Sequence, residues 1–255
     1  MPGEGGPLGG RVVVVAGASR GTGRFMSGAL ADAGANVVML ARDADTLRAA
    51  AAPIGDAALP IPTDISEPDS VRAAFAQIEE RFGKIDALIN NAVVGWPHLI
   101  EDVDDEQVRV EVGTNLIGPI LTCRSAIPLL RRAGGGDIVN ISSESVLDPF
   151  PYLVVYATTK AGLETFTAGL ANEVKADGIR VTLLRSGQTQ GGEFSARWDP
   201  DIKARARELW EAGGYLARIA GQVAQPPERI AEAVVFVLTR PPGSMIDVVS
   251  VRAHS

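Results

Sequence analysis

Val12-Val13-Val14-Val15-Ala16-Gly17-Ala18-Ser19-Arg20-Gly21-Thr22-Gly23 decides the fold, because a β-branched run passes directly into a glycine-rich turn. Valine is stiff at χ1 and suits a pleated surface, and a run without polar alternation reads as a strand buried on both faces. The glycines permit a tight reversal and let backbone approach a ligand closely. From Gly23 to Ala33 the pattern is helical, and Gly34 stands where a C-cap glycine belongs. The N-terminus of such a helix holds anions through its free amides and dipole, so the segment reads as a pyrophosphate cradle. Its candidate residues are Gly17, Ser19, Arg20, Gly21, Thr22 and Gly23. A tight strand-to-helix turn with no ligand is the alternative reading.

Outward from the cradle, Val37–Leu40, Ala87–Asn90, Asp137–Ile141, Ile179–Leu184 and Met245–Val251 read as further strands. Between them lie helical patterns at Ser70–Phe82, Glu106–Arg131, Tyr156–Lys175 and Glu228–Thr239, with Ser66 and Asp69 spaced as a capping box. This alternation predicts an α/β fold: a Rossmann-type doubly wound parallel sheet with helices on both faces, in a single domain over 11–255. Residues 1–10, rich in Gly and Pro, are expected to be a flexible N-terminal segment. The least regular stretch is 187–227.

With 255 residues and 46% hydrophobic content, the chain can bury a sizeable core. A net charge of -7 argues against binding nucleic acid or an anionic membrane. Partners are expected to be small molecules and copies of the chain. Cys123 is the single cysteine and makes no intramolecular disulfide, the first ten residues do not resemble a signal peptide, and no apolar run is long enough to span a bilayer. The expected location is cytoplasmic. His98 and His254 stand apart, so no metal is implied.

Chemistry concentrates downstream. Tyr156 and Lys160 are spaced i,i+4, which puts phenol and ammonium on one helix face. Ser143 lies thirteen residues before Tyr156 at a strand end, and Asn115 sits in Thr114-Asn115-Leu116-Ile117-Gly118. A phenol beside an ammonium can act as a positioned acid toward a developing alkoxide. Tyr156 is that candidate, with Ser143 as hydrogen-bonding partner of the substrate oxygen.

The spacing Gly-x3-Gly-x-Gly at 17–23, Asn90-Asn91-Ala92 and the order Asn115, Ser143, Tyr156, Lys160 resemble the short-chain dehydrogenase/reductase family over roughly residues 11–190. The resemblance implies an oxidoreductase moving a hydride between a nicotinamide and a carbonyl or secondary alcohol. Tyr156 is then the general acid/base and Lys160 acts electrostatically on it while holding the nicotinamide ribose. Asn115 matches the residue that holds a water in the proton relay; bonding a neighbouring backbone group is its other reading. Asp64 and Ile65 would meet the adenine, though Asp64 also suits a helix cap, and Asn91 and Ala92 would meet the nicotinamide ribose. Ala41 stands where an NAD-preferring chain carries a carboxylate, and Arg42, with Arg20, suits a 2′-phosphate, so NADP(H) is expected over NAD(H). Surface arginines paired with Asp43 and Asp45 are the alternative.

The pattern departs in places. Val93 replaces the glycine after Asn-Asn-Ala, and Ser186-Gly187-Gln188-Thr189 replaces the usual Pro-Gly. Gly187 keeps the close approach; Thr189, or alternatively Gln188, meets the carboxamide. An NADPH-binding sensor or scaffold with little turnover is the rival reading. Phe194, Trp198, Trp210 and Tyr215 fall in the region that forms the family's substrate lid, with Trp96 and Phe150 on adjacent loops, so a partly apolar substrate is expected. Relatives assemble as homodimers or homotetramers through the long helices and the last strand.

Overall fold

A computed structural model describes residues 5–191, 193–196, 198–215 and 224–254. Its strands are β1 (Val12–Ala16), β2 (Asn36–Ala41), β3 (Ala58–Pro62), β4 (Ala87–Asn90), β5 (Gly136–Ser143), β6 (Ile179–Ser186) and β7 (Val248–Val251). All pair in parallel in the order β3-β2-β1-β4-β5-β6-β7. The helices are α1 (Gly21–Asp32), α2 (Ala44–Ala51), α3 (Pro68–Phe82), α4 (Asp105–Val112), α5 (Gly118–Arg132), α6 (Val154–Val174), α7 (Pro200–Ala212) and α8 (Glu228–Leu238).

The alternation of valines in β1 distributes the core between two faces. Val13 and Val15 join Val37, Met39 and Ile89 under Met26 and Leu30 of α1 and Ile230 and Val234 of α8. Val12, Val14 and Ala16 join Val38, Leu40 and Leu88 under Ile78 of α3, Leu129 of α5 and Leu170 of α6. The result is the expected single α/β unit, a three-layer sandwich whose chain reverses direction across the sheet between β1 and β4. Crevices at such switch points, outside the carboxyl ends of the strands, are where ligands bind in this architecture.

Two polar devices fix the frame. Below the sheet, the buried Asp137 accepts from Arg11 Nη2 and Arg180 Nε, each at 2.7 Å. Within it, Asn90 Nδ2 donates to Asn140 Oδ1 at 2.8 Å, Thr122 Oγ1 donates to Asn90 Oδ1 at 2.7 Å, and Asn140 Nδ2 donates to Thr167 Oγ1 at 2.9 Å. This satisfied network ties β4 and β5 to α5 and α6, the elements carrying most of the candidate chemistry.

Several expectations are corrected. Residues 5–10 are not a loose tail: Leu8 is fully buried among Ala33, Ala35 and their neighbours, its amide bonds the Ala33 carbonyl, and Gly10 bonds Gly34. Residues 1–4 lie outside the described residues. Ser66 does not cap α3; Glu67 is the N-cap residue without a side-chain bond, and Ser66 Oγ donates to Asp64 Oδ1 at 2.6 Å. The helix expected over Glu106–Arg131 is interrupted by a π turn at Gly113–Ile117, where the amide of Gly118 reaches back to Gly113. Pro119 follows, with no amide hydrogen to offer the Asn115 carbonyl four residues earlier. The last strand starts at Val248, later than Met245. Helices α2 and α7 are additions to the segments read from sequence, and the third strand, read as ending at Asp64 and Ile65, ends at Pro62.

Candidate functional site

The glycine turn opens onto a cleft of about 380 Å³ lined by Gly21, Thr22, Arg24 and Phe25 on one side and Thr189–Gly191 and Pro226–Glu228 on the other. Gly21 has φ +49°, the left-handed region, and a Cβ there would project into open space. A Cβ on Gly17 would stand 2.5 Å from Ala92 Cα, and one on Gly23 would stand 2.0 Å from the Gly17 carbonyl oxygen. Gly17 and Gly23 therefore serve close packing, while Gly21 shapes the open side. Helix α1 has no side-chain cap and no acidic residue in its first turn, so its leading amides suit an anion. Thr22 Oγ1 donates to Asn91 Oδ1 at 2.9 Å and Asn91 Nδ2 donates to the Gly17 carbonyl at 3.2 Å, coupling the turn to the end of β4. Ser19 is half-buried within the same turn. These residues fit a dinucleotide's pyrophosphate on the observation of an uncapped helix beside an open, glycine-lined cleft.

At the carboxyl end of β2, Arg42 and Arg20 are both exposed, and Arg20 bears electrostatically on Asp43. Asp43 caps α2 by accepting from the Thr46 amide at 2.8 Å, and Asp45 pairs with Arg48. Asp64 Oδ1 accepts from the Ser66 amide at 3.0 Å as well as from its hydroxyl, whereas the buried Ile65 occupies the space beside Gly118, where a Cβ would meet Ile65 Cδ1 at 2.6 Å. Ile65 thus packs inward against the start of α5. Gly187 donates to the Val251 carbonyl at 2.8 Å, and Thr189 forms a bridge with Gln225, so the segment after β6 is held by the chain's end.

On α6, one turn separates Tyr156 from Lys160. A side-chain hydrogen bond from Ser143 favours the Tyr156 phenolate, but burial outweighs it, and with the nearby charge of Glu111 pushes the phenol up to about 12. Lys160 is buried; its Nζ donates to the Ile141 carbonyl at 2.8 Å, and burial lowers it to about 8. Burial and the Glu111 carboxylate thus raise the phenol's pKa, while the Lys160 ammonium is bonded to β5. Asn115 turns its side chain to the β4–α4 loop, accepting from the Val94 amide at 2.9 Å and donating to the Val94 carbonyl at 2.8 Å and to Thr159 Oγ1 at 3.1 Å.

Aromatic rings cover the group. Phe194 lies 4.9 Å from Tyr156 between centroids, Trp198 lies 5.3 Å from Phe194, and Trp210 joins Trp198 and Phe150. Trp198 Nε1 donates to the Gly95 carbonyl and Trp210 Nε1 to the Pro151 carbonyl, both at 2.7 Å, so this aromatic segment is bonded to two loops rather than merely resting on them. Tyr215 packs edge-on at 5.7 Å to Phe150; residues 216–223, also in the expected lid, lie outside the described residues. Next to Pro151, which Trp210 bonds, Tyr152 adopts φ +69°, strained for a residue with a Cβ, while its carbonyl accepts from the His98 amide at 2.9 Å.

Sequence reasoning missed Glu111 and Glu144. Glu111 is fully buried and its Oε1 accepts from the Trp96 amide at 2.9 Å; Glu144 follows Ser143, with Oε1 3.7 Å from Arg252 Nη1. Glu111 shares the buried side of this segment with Asn115 and Thr122, but a glutamate read from sequence alone is expected to be solvated. Among the described residues there is no cluster of three metal-ligating side chains, and no helix is long and apolar enough to cross a membrane.

Residues 11–202 match the family model for the short chain dehydrogenases. Carbonyl reductase family member 4 of Danio rerio is 32% identical over 232 residues, 91% of this chain and 92% of that one. A metagenomic short-chain oxidoreductase solved in complex with NADP superimposes with a TM-score of 0.80 at 29% identity, covering 97% of this chain and 98% of its own. The 3-ketoacyl-(acyl-carrier-protein) reductase of Brucella melitensis, solved with NADH, gives 0.80 at 32% identity, covering 96% and 97%.

Proposed function

The chain belongs to the short-chain dehydrogenase family of oxidoreductases, and from that membership we propose an NADP(H)-dependent enzyme that reduces a carbonyl to a secondary alcohol. The observation that carries the proposal is the Ser143–Tyr156 pair at the carboxyl end of β5, on the same sheet edge as the glycine-lined cleft. A bound nicotinamide would supply the hydride; the proton that completes the alcohol comes from the Tyr156 hydroxyl. Ser143 donates to the same substrate oxygen and steadies its developing charge.

Burial and Glu111 keep Tyr156 in its acid form at neutral pH, which suits protonation of the alkoxide that forms as a carbonyl is reduced. Running the reverse reaction near neutrality would require lowering the phenol by about five units, about 7 kcal/mol of preferential stabilisation. Lys160 relays the proton that restores Tyr156. The Asn115 carbonyl, deprived of a helical donor by Pro119, offers a lone pair to a water at the end of that relay.

For the cofactor, Gly17, Ser19, Gly21, Thr22 and Gly23 form the pyrophosphate cradle, Asn91 and Ala92 border the nicotinamide ribose, and Gly187 and Thr189 meet the carboxamide. Asp64 and the Ile65 backbone border the adenine. NADP(H) is favoured by the exposed Arg42 and Arg20 at the end of β2, with Asp43 committed to capping α2. Relatives of known structure are described with NADP in one case and NADH in another. Exposed Ile117 and Ile120 near the start of α5 and Val154 on α6 support self-association through these helices.

Titration with NADPH followed by a carbonyl panel tests the reading. Tyr156→Phe is expected to abolish turnover while NADPH affinity stays within about twofold. Equal, negligible turnover by both proteins with tight NADPH binding would instead favour a sensor or scaffold.

A further inference from the structure

Among the described residues, the buried side-chain polar atoms without a hydrogen-bond partner belong to His98, Glu111, Glu144 and Ser145. All four residues stand in the loops after β4 and β5 or in α4, around Ser143 and Tyr156. A buried polar atom left unpaired is costly, and a buried carboxylate more so, because no water replaces the lost solvation. Such atoms gathered at a reaction site point to polar groups on the ligand.

Glu111 is the extreme case. Its side chain is completely enclosed, Oε1 is held by the Trp96 amide at 2.9 Å, and Oε2 has no partner. Burial pushes its carboxyl up to about 7, and among the described residues no lysine or arginine pairs with it. His98 on the neighbouring loop supplies no cation, since burial pulls its imidazole down. Glu144 differs, having Arg252 3.7 Å away. Glu111 nevertheless lies within electrostatic reach of the Tyr156 phenol, and the loop it anchors carries Gly95, which borders both Tyr156 and Phe194.

We propose that Glu111 is a specificity-determining residue that selects substrates carrying a protonated amine close to the reacting carbon. This rests on the oxidoreductase reading above. An ammonium gives Oε2 both the missing hydrogen bond and the missing countercharge; a hydroxyl gives only the first, and an anion is repelled. The surroundings suit a cation with an apolar body: Phe194 and Trp198 form an aromatic wall beside Tyr156, and ring faces attract ammonium groups. Phe194 covers the Tyr156 ring and its tip occupies the space a Cβ on Gly95 would need, so the substrate enters as this ring swings aside.

The test compares N-methylpiperidone, protonated on its ring nitrogen, with methylcyclohexanone of like shape. Binding of each is measured calorimetrically near neutral pH with saturating NADP+, where no reduction occurs, to the wild type, Glu111→Gln and Glu111→Leu. The wild type is expected to bind the amine at least about tenfold more tightly, the size of a charge-assisted hydrogen bond. In both variants the two ketones are expected to bind alike. Equal binding of both ketones by the wild type, including no binding of either, overturns the proposal; so does a preference that survives in a folded variant. Turnover with NADPH is read separately. Selective, Glu111-dependent binding without any turnover would sustain the role of Glu111 and overturn the oxidoreductase reading.

Discussion

Asn115 grips Val94 from both sides, its Oδ1 accepting from the Val94 amide at 2.9 Å and its Nδ2 donating to the Val94 carbonyl at 2.8 Å. One side chain thereby satisfies both backbone groups of a residue in an irregular loop, as a neighbouring strand would. Glu111, one turn earlier, takes the Trp96 amide, so α4 and the π turn hold the loop at two points. The π turn matters because it sets Asn115, whose carbonyl can receive no amide hydrogen from Pro119.

Asn115→Ala removes the grip and leaves the Val94 groups unpaired in a part-buried setting. The expected loss is about 2–3 kcal/mol, from a cost of about 1–3 kcal/mol per orphaned group with some relaxation. For a domain this long that corresponds to a Tm lower by roughly 5–10 °C. Urea unfolding is the check: the midpoint should fall with the slope m unchanged, and a midpoint within error of wild type would mean the loop stands without Asn115.

Glu111 makes stability depend on pH with a definite sign. Its carboxyl is held at about 7 in the folded protein against an ordinary 4.5, mainly by burial. Between these values the folded state keeps a proton that the unfolded state has released, so stability falls as pH rises through this window. The loss approaches about 3 kcal/mol by about pH 8. Glu111→Gln keeps an oxygen for the Trp96 amide and removes the titration. The variant should match wild type near pH 5 and exceed it by about 3 kcal/mol near pH 8. A constant difference across that range would place the proton elsewhere.

These residues also show where a sequence is readable. The glycine turn, Tyr156 and Lys160 were legible because steric need or helical spacing leaves few alternatives: Gly23 has a carbonyl 2.0 Å from where a Cβ would stand. Strand β3 was hard to place because Pro60 and Pro62 interrupt it, which an edge strand tolerates. Helix α2 hides because an alanine-rich segment has high propensity but little apolar contrast, its start marked only by the Asp43 cap. Leu8 vanished among glycines and prolines although one buried side chain anchors the whole segment. Glu111 was overlooked for a different reason: a charged residue in a helix is normally solvated, and only the tertiary burial of the 111–115–118–122 face makes it otherwise.

Asp137 is the structural counterpart, a carboxylate buried to 3% exposure but answered by two guanidiniums, Arg11 and Arg180. Asp137→Ala takes the countercharge from Arg11, ahead of β1, and from Arg180 in β6, leaving each with carbonyl partners only. Breaking a buried pair from one side costs about 3–5 kcal/mol, enough to unfold a marginal domain. The expected outcome is a Tm depressed by roughly 10 °C or more, or recovery only as insoluble protein. A soluble variant with unaltered Tm would show that the two arginines find water at no penalty.

Cofactor choice is tested at the end of β2. Arg42 is exposed there and unencumbered by Asp43, which is committed to the Thr46 amide, or by Asp45, which pairs with Arg48. A 2′-phosphate placed against it gains a charge-assisted hydrogen bond, about 1.5–3 kcal/mol. Arg42→Ala should therefore weaken NADPH by about 10- to 100-fold and leave NADH within about twofold, since NADH offers only a hydroxyl at that position. Arg20→Ala should act in the same direction but less, because Arg20 also bears on Asp43 and its removal shifts that carboxylate's surroundings. Raising salt should erode the NADPH advantage of wild type toward that of the variant, as screening acts on exposed charges. Fluorescence titration of both nucleotides against both variants reads all of this at once. Parallel weakening of NADPH and NADH would assign Arg42 to the shape of the β2–α2 turn instead of to the phosphate.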